Sequence, residues 1–416
     1  MLTLQKGNAS RFTTCIALDC FLHQSKGVLS LDIKIVSLPA SHYAEYRMDV
    51  MFDGYKWDLQ AGEQSTISDK VVLLEREEAT FLAEQAVKLY EETVMMERAL
   101  QGKSKLVRFI GVSQNMVDAL CSCDYNPKEH IRFMRFDFHP TTNGWQISEV
   151  NSDVPAGYPE ASVLPALAQI HFDGYKQYGC FGSRLRDSLL KLIPPNSTIA
   201  YLHDTHTVED YQILHYLGDL MEKSGYKSLY AAPNHIKWIN NKALSIDGIV
   251  RYYPIEWMEY AKNVEWLSFV NSKTPSCNHP IALLTQSKRL PLVWGELGVA
   301  IPTWKKLLPK TKCTSDIIDR KGWVLKPAFG RVGEGINIPG TMSEREEQEI
   351  LQAARLNPFQ WVAQKMFESV PINGLHLNIG VFVVDGAFAG FYARVSDEPK
   401  IDEEASEVPI LVKTEG

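Results

Sequence analysis

Apolar residues at 71, 74, 82, 86 and 89 in Val71-Val-Leu-Leu-Glu-Arg-Glu-Glu-Ala-Thr-Phe-Leu-Ala-Glu-Gln-Ala-Val-Lys-Leu-Tyr90 recur near the helical period, which predicts one long amphipathic helix. Residues 1–43 are more weakly patterned and read as an N-terminal extension without an assigned role. Alternation takes over in Ile131-Arg-Phe-Met-Arg-Phe-Asp-Phe-His139 and Trp145-Gln-Ile-Ser-Glu-Val-Asn151, two strands joined around Asn143-Gly144. Thr198–His203 reads as a strand and Val208–Met221 as the helix after it, with Gly225 as a stop, making 197–275 a candidate subdomain. In the last third, Trp323–Lys326, Trp361–Met366, Ile379–Val384 and Ala387–Arg394 read as strands, the last two joined through Asp385-Gly386. The pattern is mixed α/β (α+β), without internal repeats.

Composition narrows the class. A chain of 416 residues has room for two or three structural units, and 45% hydrophobic with 22% charged residues is ordinary for a folded globular protein. A net charge of -7 supplies no basic footprint for nucleic acid. The seven cysteines are scattered and odd in number, which favours a reducing, cytoplasmic setting over a disulfide framework. The early apolar run Cys15–Leu22 is broken by Asp19, and no later stretch is long enough to span a membrane.

Candidate chemistry sits on the first hairpin. With a three-residue Thr142-Asn143-Gly144 loop and Gly144 left-handed, Asp137 faces Glu149 and Arg135 faces Asn151. A two-residue Asn143-Gly144 loop would instead put the carboxylates on opposite sides. The first register gives the other face Met134, Phe136, Phe138 and Val150, a core-like set. Two carboxylates and an amide oxygen suit Mg²⁺, and Arg135 beside them suits an anionic substrate group. Surface cross-strand ion pairs account for the same residues equally well in an isolated hairpin.

A second candidate is Val324-Leu-Lys-Pro-Ala-Phe-Gly-Arg-Val-Gly-Glu-Gly-Ile336, a strand lysine ahead of Gly330, Gly333 and Gly335, with a strand-like Ile336-Asn-Ile338 returning. It fits neither the Walker nor the dinucleotide fingerprint. As a flap, its backbone could approach phosphates while Lys326 and Arg331 neutralise charge; as a plain turn, it would do neither. Gln364, Lys365 and Met366 lie where a strand leaving this flap could meet an adenine, or form an ordinary edge.

The ordered set Arg135-x-Asp137, Glu149-Val-Asn151-Ser-Asp153, Tyr253-Pro-Ile-Glu-Trp257, Gln286-Ser-Lys288, Lys326-Pro-x-x-Gly-Arg-x-Gly and Tyr392-x-Arg394-x-Ser396 resembles the glutathionylspermidine synthase family over roughly residues 44–416. The resemblance implies a permuted ATP-grasp fold, in which the Glu-x-Asn pair precedes the flap lysines. It implies a core from 131–160 and 371–416, an antiparallel nucleotide flap at 285–370, and a pre-ATP-grasp-like substrate subdomain at 197–275. By resemblance, Asp137, Glu149 and Asn151 hold Mg²⁺. Lys288, Lys326, Gly330, Arg331, Gly333, Gln364, Lys365 and Met366 form the ATP site. Arg135 holds the substrate carboxylate, and Arg394 stabilises the transferring phosphoryl group. Glu209 and Asp210 match a substrate-proximal acidic pair, although a helix dipole explains acids in a first turn as well. The implied activity is ATP-dependent joining of a small-molecule acid to an amine, possible partners being a peptide such as glutathione and a polyamine, with no nucleic acid or membrane. Val154 and Ala156 depart from the hydroxyl residues of glutathione-binding members. A nucleotide-binding regulator and a phosphotransferase remain open alternatives.

Overall fold

The computed structural model describes residues 32–57, 60–61, 64–317, 319–331, 335–339 and 341–415. Most of the expected N-terminal extension lies outside them, but among the described residues Ile33–Ser37 is already a strand, ahead of residue 44.

The single helix expected from residue 71 is two elements. Lys70–Leu74 is a strand, Glu75 is extended, and the helix runs Arg76–Leu100. Four apolar residues in a row satisfy a helical template at positions 71 and 74, yet they also suit a strand covered on both faces. Here Val71, Val72, Leu73 and Leu74 are all buried, so the sheet wins. The strand pairs antiparallel with Ile33–Ser37 and parallel with Ile410–Lys413, which also pairs with Tyr175–Lys176.

The sheet that carries the acidic residues has the order Ser406–Glu407, Ala387–Ser396, His376–Val384, Phe133–Thr141, Gly144–Asn151, with every neighbouring pair antiparallel. The turn from His376–Val384 to Ala387–Ser396 uses Asp385 (φ 48°) and Gly386 (φ 81°), the left-handed pair a tight hairpin needs. The long helix packs on this sheet, joining Leu82, Ala86 and Leu89 to Phe136, Phe138, Ile379 and Val381 in one core.

The expected pairing is observed but is produced differently. Thr141 pairs with Gly144, so the loop is the two residues Thr142-Asn143, and that register continues to Phe138 opposite Ile147. Continued further, it would set Asp137 against Ser148. A bulge leaves Ser148 unpaired and restores Asp137 opposite Glu149, Phe136 opposite Val150 and Arg135 opposite Asn151. The bulge also reverses the parity of the strand. Trp145 and Ile147 face the core with Val150, while Glu149 and Asn151 face away with Arg135 and Asp137.

Two further sheets flank this frame. Ser276–Cys277, Gly248–Arg251, Thr198–Leu202 and Lys227–Ala231 form a parallel sheet, with helix Val208–Glu222 linking the third and fourth strands. Thr311–Lys312, Trp361–Lys365 and Trp323–Pro327 form an antiparallel sheet, beside a helix Glu344–Leu356 started by a Ser343/Glu346 capping box. The expected return strand Ile336–Ile338 contributes one bridge, Asn337 to Leu325. Among the described residues no helix is long and apolar enough to cross a membrane.

Candidate active site

Strand alternation brings Arg135, Asp137 and His139 to one face, and the bulge brings Glu149 and Asn151 to them. The Arg135 guanidinium grips Asp137 through two bonds, Nε to Oδ1 at 2.8 Å and Nη2 to Oδ2 at 3.0 Å. Its Nη1 donates to the Ala156 carbonyl at 2.7 Å, and the group lies 4.7 Å over the Tyr392 ring. Space for it comes from Gly380, across from Asp137, where a Cβ would stand 2.7 Å from Arg135 Cδ. Gly380→Ala is therefore expected to cost about 1–3 kcal/mol, the range for overpacking. Urea denaturation measures it; wild-type stability would mean that Arg135 swings aside freely.

Asn151 donates to Asp137 Oδ2 at 3.0 Å. Glu149 takes an ion pair from Lys288 at 2.8 Å, and Lys288 also donates to the Gly330 carbonyl at 2.6 Å. Burial would raise the Glu149 carboxyl, but Lys288, Lys326 and Arg135 outweigh it and hold it at about 2. Lys326 donates to Gln364 Oε1 at 2.7 Å and to the Ser148 carbonyl at 3.2 Å, the carbonyl of the bulged residue. Burial depresses Lys326 to about 8, with Lys288 adding to the fall and Glu149 and Asp137 opposing it. His139, against Ser148 and Asn378, is pushed down to about 3 by burial and by Lys326 and stays neutral.

The hairpin, the strands Trp323–Pro327 and Trp361–Lys365 and the 287–288 segment therefore meet in one place. Two carboxylates face each other among three cations, Arg135, Lys288 and Lys326. Among the described residues no group of three or more His, Cys, Asp or Glu side chains could hold a metal ion. The donor set is thus two carboxylates and one amide oxygen. An ionised carboxylate offers about four lone-pair positions, so the bonds from Arg135 and Asn151 leave acceptor capacity on Asp137. This set fits Mg²⁺, which commonly takes one or two protein carboxylates and completes its shell with water and phosphate oxygens.

Beneath the site, a buried frame fixes the chain after Asn151. Gln286 Oε1 accepts from the backbone N–H of Ser152 and Asp153 at 2.7 and 2.9 Å. Asn278 Nδ2 donates to the carbonyls of Phe133, Ser152 and Asp153. Arg132 reaches the Ser152 carbonyl and hydroxyl, and Arg251 grips Asp153 through both guanidinium nitrogens. Of these, sequence reasoning gave no role to Arg132, Arg251 or Asn278. The one signal was a charge placed within apolar strand residues, as in Gly248-Ile-Val-Arg251.

The structure places other expected site residues among partners of their own. Arg331 pairs with Glu256 at 2.7 Å and comes within 4.0 Å of Asp153, joining the glycine-rich segment to the Tyr253–Trp257 motif. Gly333 lies outside the described residues. Gln364 is buried and turned to Lys326, whereas Lys365 is exposed and lies 5.6 Å from the Trp323 ring. The backbone N–H groups of Lys365 and Met366 are already committed, to Lys310 and Gly322 carbonyls. Arg394 stands opposite Asn378, with Nη1 donating to the Asp402 carbonyl at 2.8 Å. Glu209 and Asp210 open the Val208–Glu222 helix; burial pushes the Asp210 carboxyl up to about 7, and it accepts from the Asp204 N–H. His203 and His206 both bond to Asp204 as local polar structure.

Comparison with known proteins follows the same outline. A family model described as glutathionylspermidine synthase preATP-grasp matches residues 40–413. Among solved structures, the chain is similar to a glutathione synthetase like-effector from Globodera pallida in its apo form. That likeness has a TM-score of 0.56 at 12% identity and covers 88% of this chain and 97% of that one, which shows a shared fold. A provisionally named gamma-glutamylcysteine synthetase from Methylobacillus flagellatus KT gives a TM-score of 0.42 at 11% identity, covering 75% and 86%. No curated protein sequence matches.

Proposed function

The chain belongs to the glutathionylspermidine synthase preATP-grasp family, and from that premise we propose that it is an ATP-dependent ligase joining a small-molecule carboxylate to an amine. The observation that carries this reading is the meeting of Asp137 and Glu149 with Lys288 and Lys326, two opposed carboxylates facing two lysines from another sheet and its approach. The fold would be the permuted ATP-grasp form, with the sheet of residues 311–365 as nucleotide flap and residues 197–275 as substrate subdomain. A cytoplasmic setting belongs to the same proposal.

Asp137, Glu149 and Asn151 would hold Mg²⁺, which when bound supplies charge neutralisation at phosphate oxygens. Lys288 and Lys326 would contact the phosphates, with the flap backbone at Gly330 and Gly333 beside them. Gln364, Lys365 and Met366 would border the base, through carbonyls and side chains, since the two backbone donors are taken. Arg331 would tie the flap to the substrate side. Arg135 would orient the substrate carboxylate, and Glu209 with Asp210 would attract the amine. The carboxylate oxygen attacks the γ-phosphorus and ADP leaves with the electron pair of the broken bond. The amine nitrogen then attacks the acyl carbon, phosphate departs, and the amine loses a proton. Catalysis is positioning and charge neutralisation in a site that excludes water.

The test is ADP release with Mg²⁺ and ATP across peptides, amino acids and polyamines, with mass spectrometry of the products. A condensed product supports the ligase; a phosphorylated product or a silent panel overturns it. A pH signature is also expected. Lys326 must be a cation to attract phosphate, and its folded pKa lies near 8, so charge is lost as pH rises through 8. Nucleotide affinity should fall about tenfold per pH unit above that point, a slope that follows from one proton. Lys326→Arg should flatten it; an equal slope in both proteins would remove Lys326 from the phosphate site.

A further inference from the structure

Just ahead of the strand Phe133–Thr141, Ile131 and Arg132 form part of a cavity of about 730 Å³ on which the proposed ligase reaction makes no demand. Pockets of about 300–1,000 Å³ take small organic ligands. Its walls are partly apolar, with Tyr90 and Val94 from the long helix, Tyr125, Leu192 and Val384. Around the mouth stand Arg98, Lys128, Arg184 and Lys191, brought from three separate segments and all exposed. Among the described residues none of these four is in an ion pair.

The carboxylates at the same cavity are already engaged. Glu97 pairs with Arg132 at 2.8 Å, and Asp385 accepts from the Arg132 N–H at 3.0 Å. His130, also in the wall, is lowered to about 4 by burial and adds no charge. Arg132 is 5% exposed, and its Nε is buried without a hydrogen-bond partner. In a chain of net charge -7, four unpaired cations gathered at one aromatic-walled cavity make a local positive field.

We infer that this cavity is a binding site for a small organic dianion, its apolar or aromatic body against Tyr90 and Tyr125 and its phosphate or paired carboxylates among the four rim cations. The site is separate from the proposed nucleotide centre: Arg132 and Arg135 are three positions apart, about 10 Å along an extended chain, and none of the residues lining the cavity is among those proposed to hold the nucleotide or Mg²⁺. It also adjoins that centre, because the Arg132 guanidinium holds Ser152, the residue after Asn151.

The test is direct binding of 1-naphthyl phosphate to the full chain, with naphthalene-1,8-dicarboxylate as the carboxylate arm, read by fluorescence without turnover. Saturable binding of either probe is expected. Arg184→Glu with Lys191→Glu should weaken it at least tenfold, while Lys305→Glu with Lys306→Glu, equal in charge change but placed elsewhere, should leave it unaltered. Circular dichroism checks that both variants fold, and Lys128→Glu alone should also weaken binding. No saturable binding, or equal loss in both double variants, overturns the site. Whichever probe binds more tightly names the anionic group.

Discussion

Arg394→Ala is expected to lower kcat about 10³-fold or more, the scale reported for arginines that meet a transferring phosphoryl group, while nucleotide affinity stays within about threefold, as expected of a contact made mainly in the transition state. The residue stands on the strand next to His376–Val384, and His139 feels the charges of Lys326, Glu149 and Arg394 together, which places all three around one face. One guanidinium nitrogen is anchored on the Asp402 carbonyl, and Nε is buried without a partner. Lysine in its place should recover only part of the rate, because a point charge does not reproduce the planar fork. Steady-state kinetics beside equilibrium nucleotide binding separates the two effects. Turnover within tenfold of wild type would remove Arg394 from the chemistry.

Asp153→Ala is expected to cost about 3–5 kcal/mol of stability, the penalty for stranding a buried charge. Asp153 and Arg251 are 0% and 1% exposed. The carboxylate takes two bonds from Arg251, so removing it strands a guanidinium that still spans the Tyr253 and Asn278 carbonyls. Burial would raise the Asp153 carboxyl, but Arg251 outweighs it and holds it below the usual range. A depressed carboxylate stabilises the fold above its unfolded value of about 3.9 and loses that contribution on acidification below it. Denaturation at neutral pH reads the loss. Asp153→Ala with Arg251→Leu should be less damaging than Asp153→Ala alone, since no charge is then stranded; simple additivity would show that the pair is not coupled.

Much of this frame was legible in the chain. The strands at 133–141, 144–151, 376–384 and 387–396 follow from alternation and from turn residues able to take left-handed backbone. The Asp137–Glu149 pairing was also legible, but through the wrong device. Both candidate loops assumed a regular strand, whereas Trp145-x-Ile147-x-x-Val150 carries a two-residue gap between core positions that marks the bulge at Ser148. The strand at 70–74 was missed because four consecutive apolar residues satisfy two periods at once, and only tertiary cover on both sides decides between them. Nor could spacing reveal Arg132, Arg251 or Asn278. Their partners, Ser152 and Thr285 for Arg132, Asp153 for Arg251 and Phe133 for Asn278, lie 20–153 residues away in sequence, and a buried polar residue is recognised by what satisfies it.

Ile410–Lys413 lies between Lys70–Leu74 and Tyr175–Lys176 in one sheet, and His376–Ser396 supplies two strands of the sheet that holds Asp137. On a ribosome making about 5–20 residues per second, residue 413 emerges tens of seconds after residue 74. Throughout that interval the edge of Lys70–Leu74 awaiting its parallel partner stays open, as does the edge of Phe133–Thr141 awaiting Val384. Unpaired strand edges of this kind invite wrong partners. The nascent chain must therefore be shielded until residues 376–413 arrive, and its yield in cells should respond to chaperone supply more than its final stability would suggest.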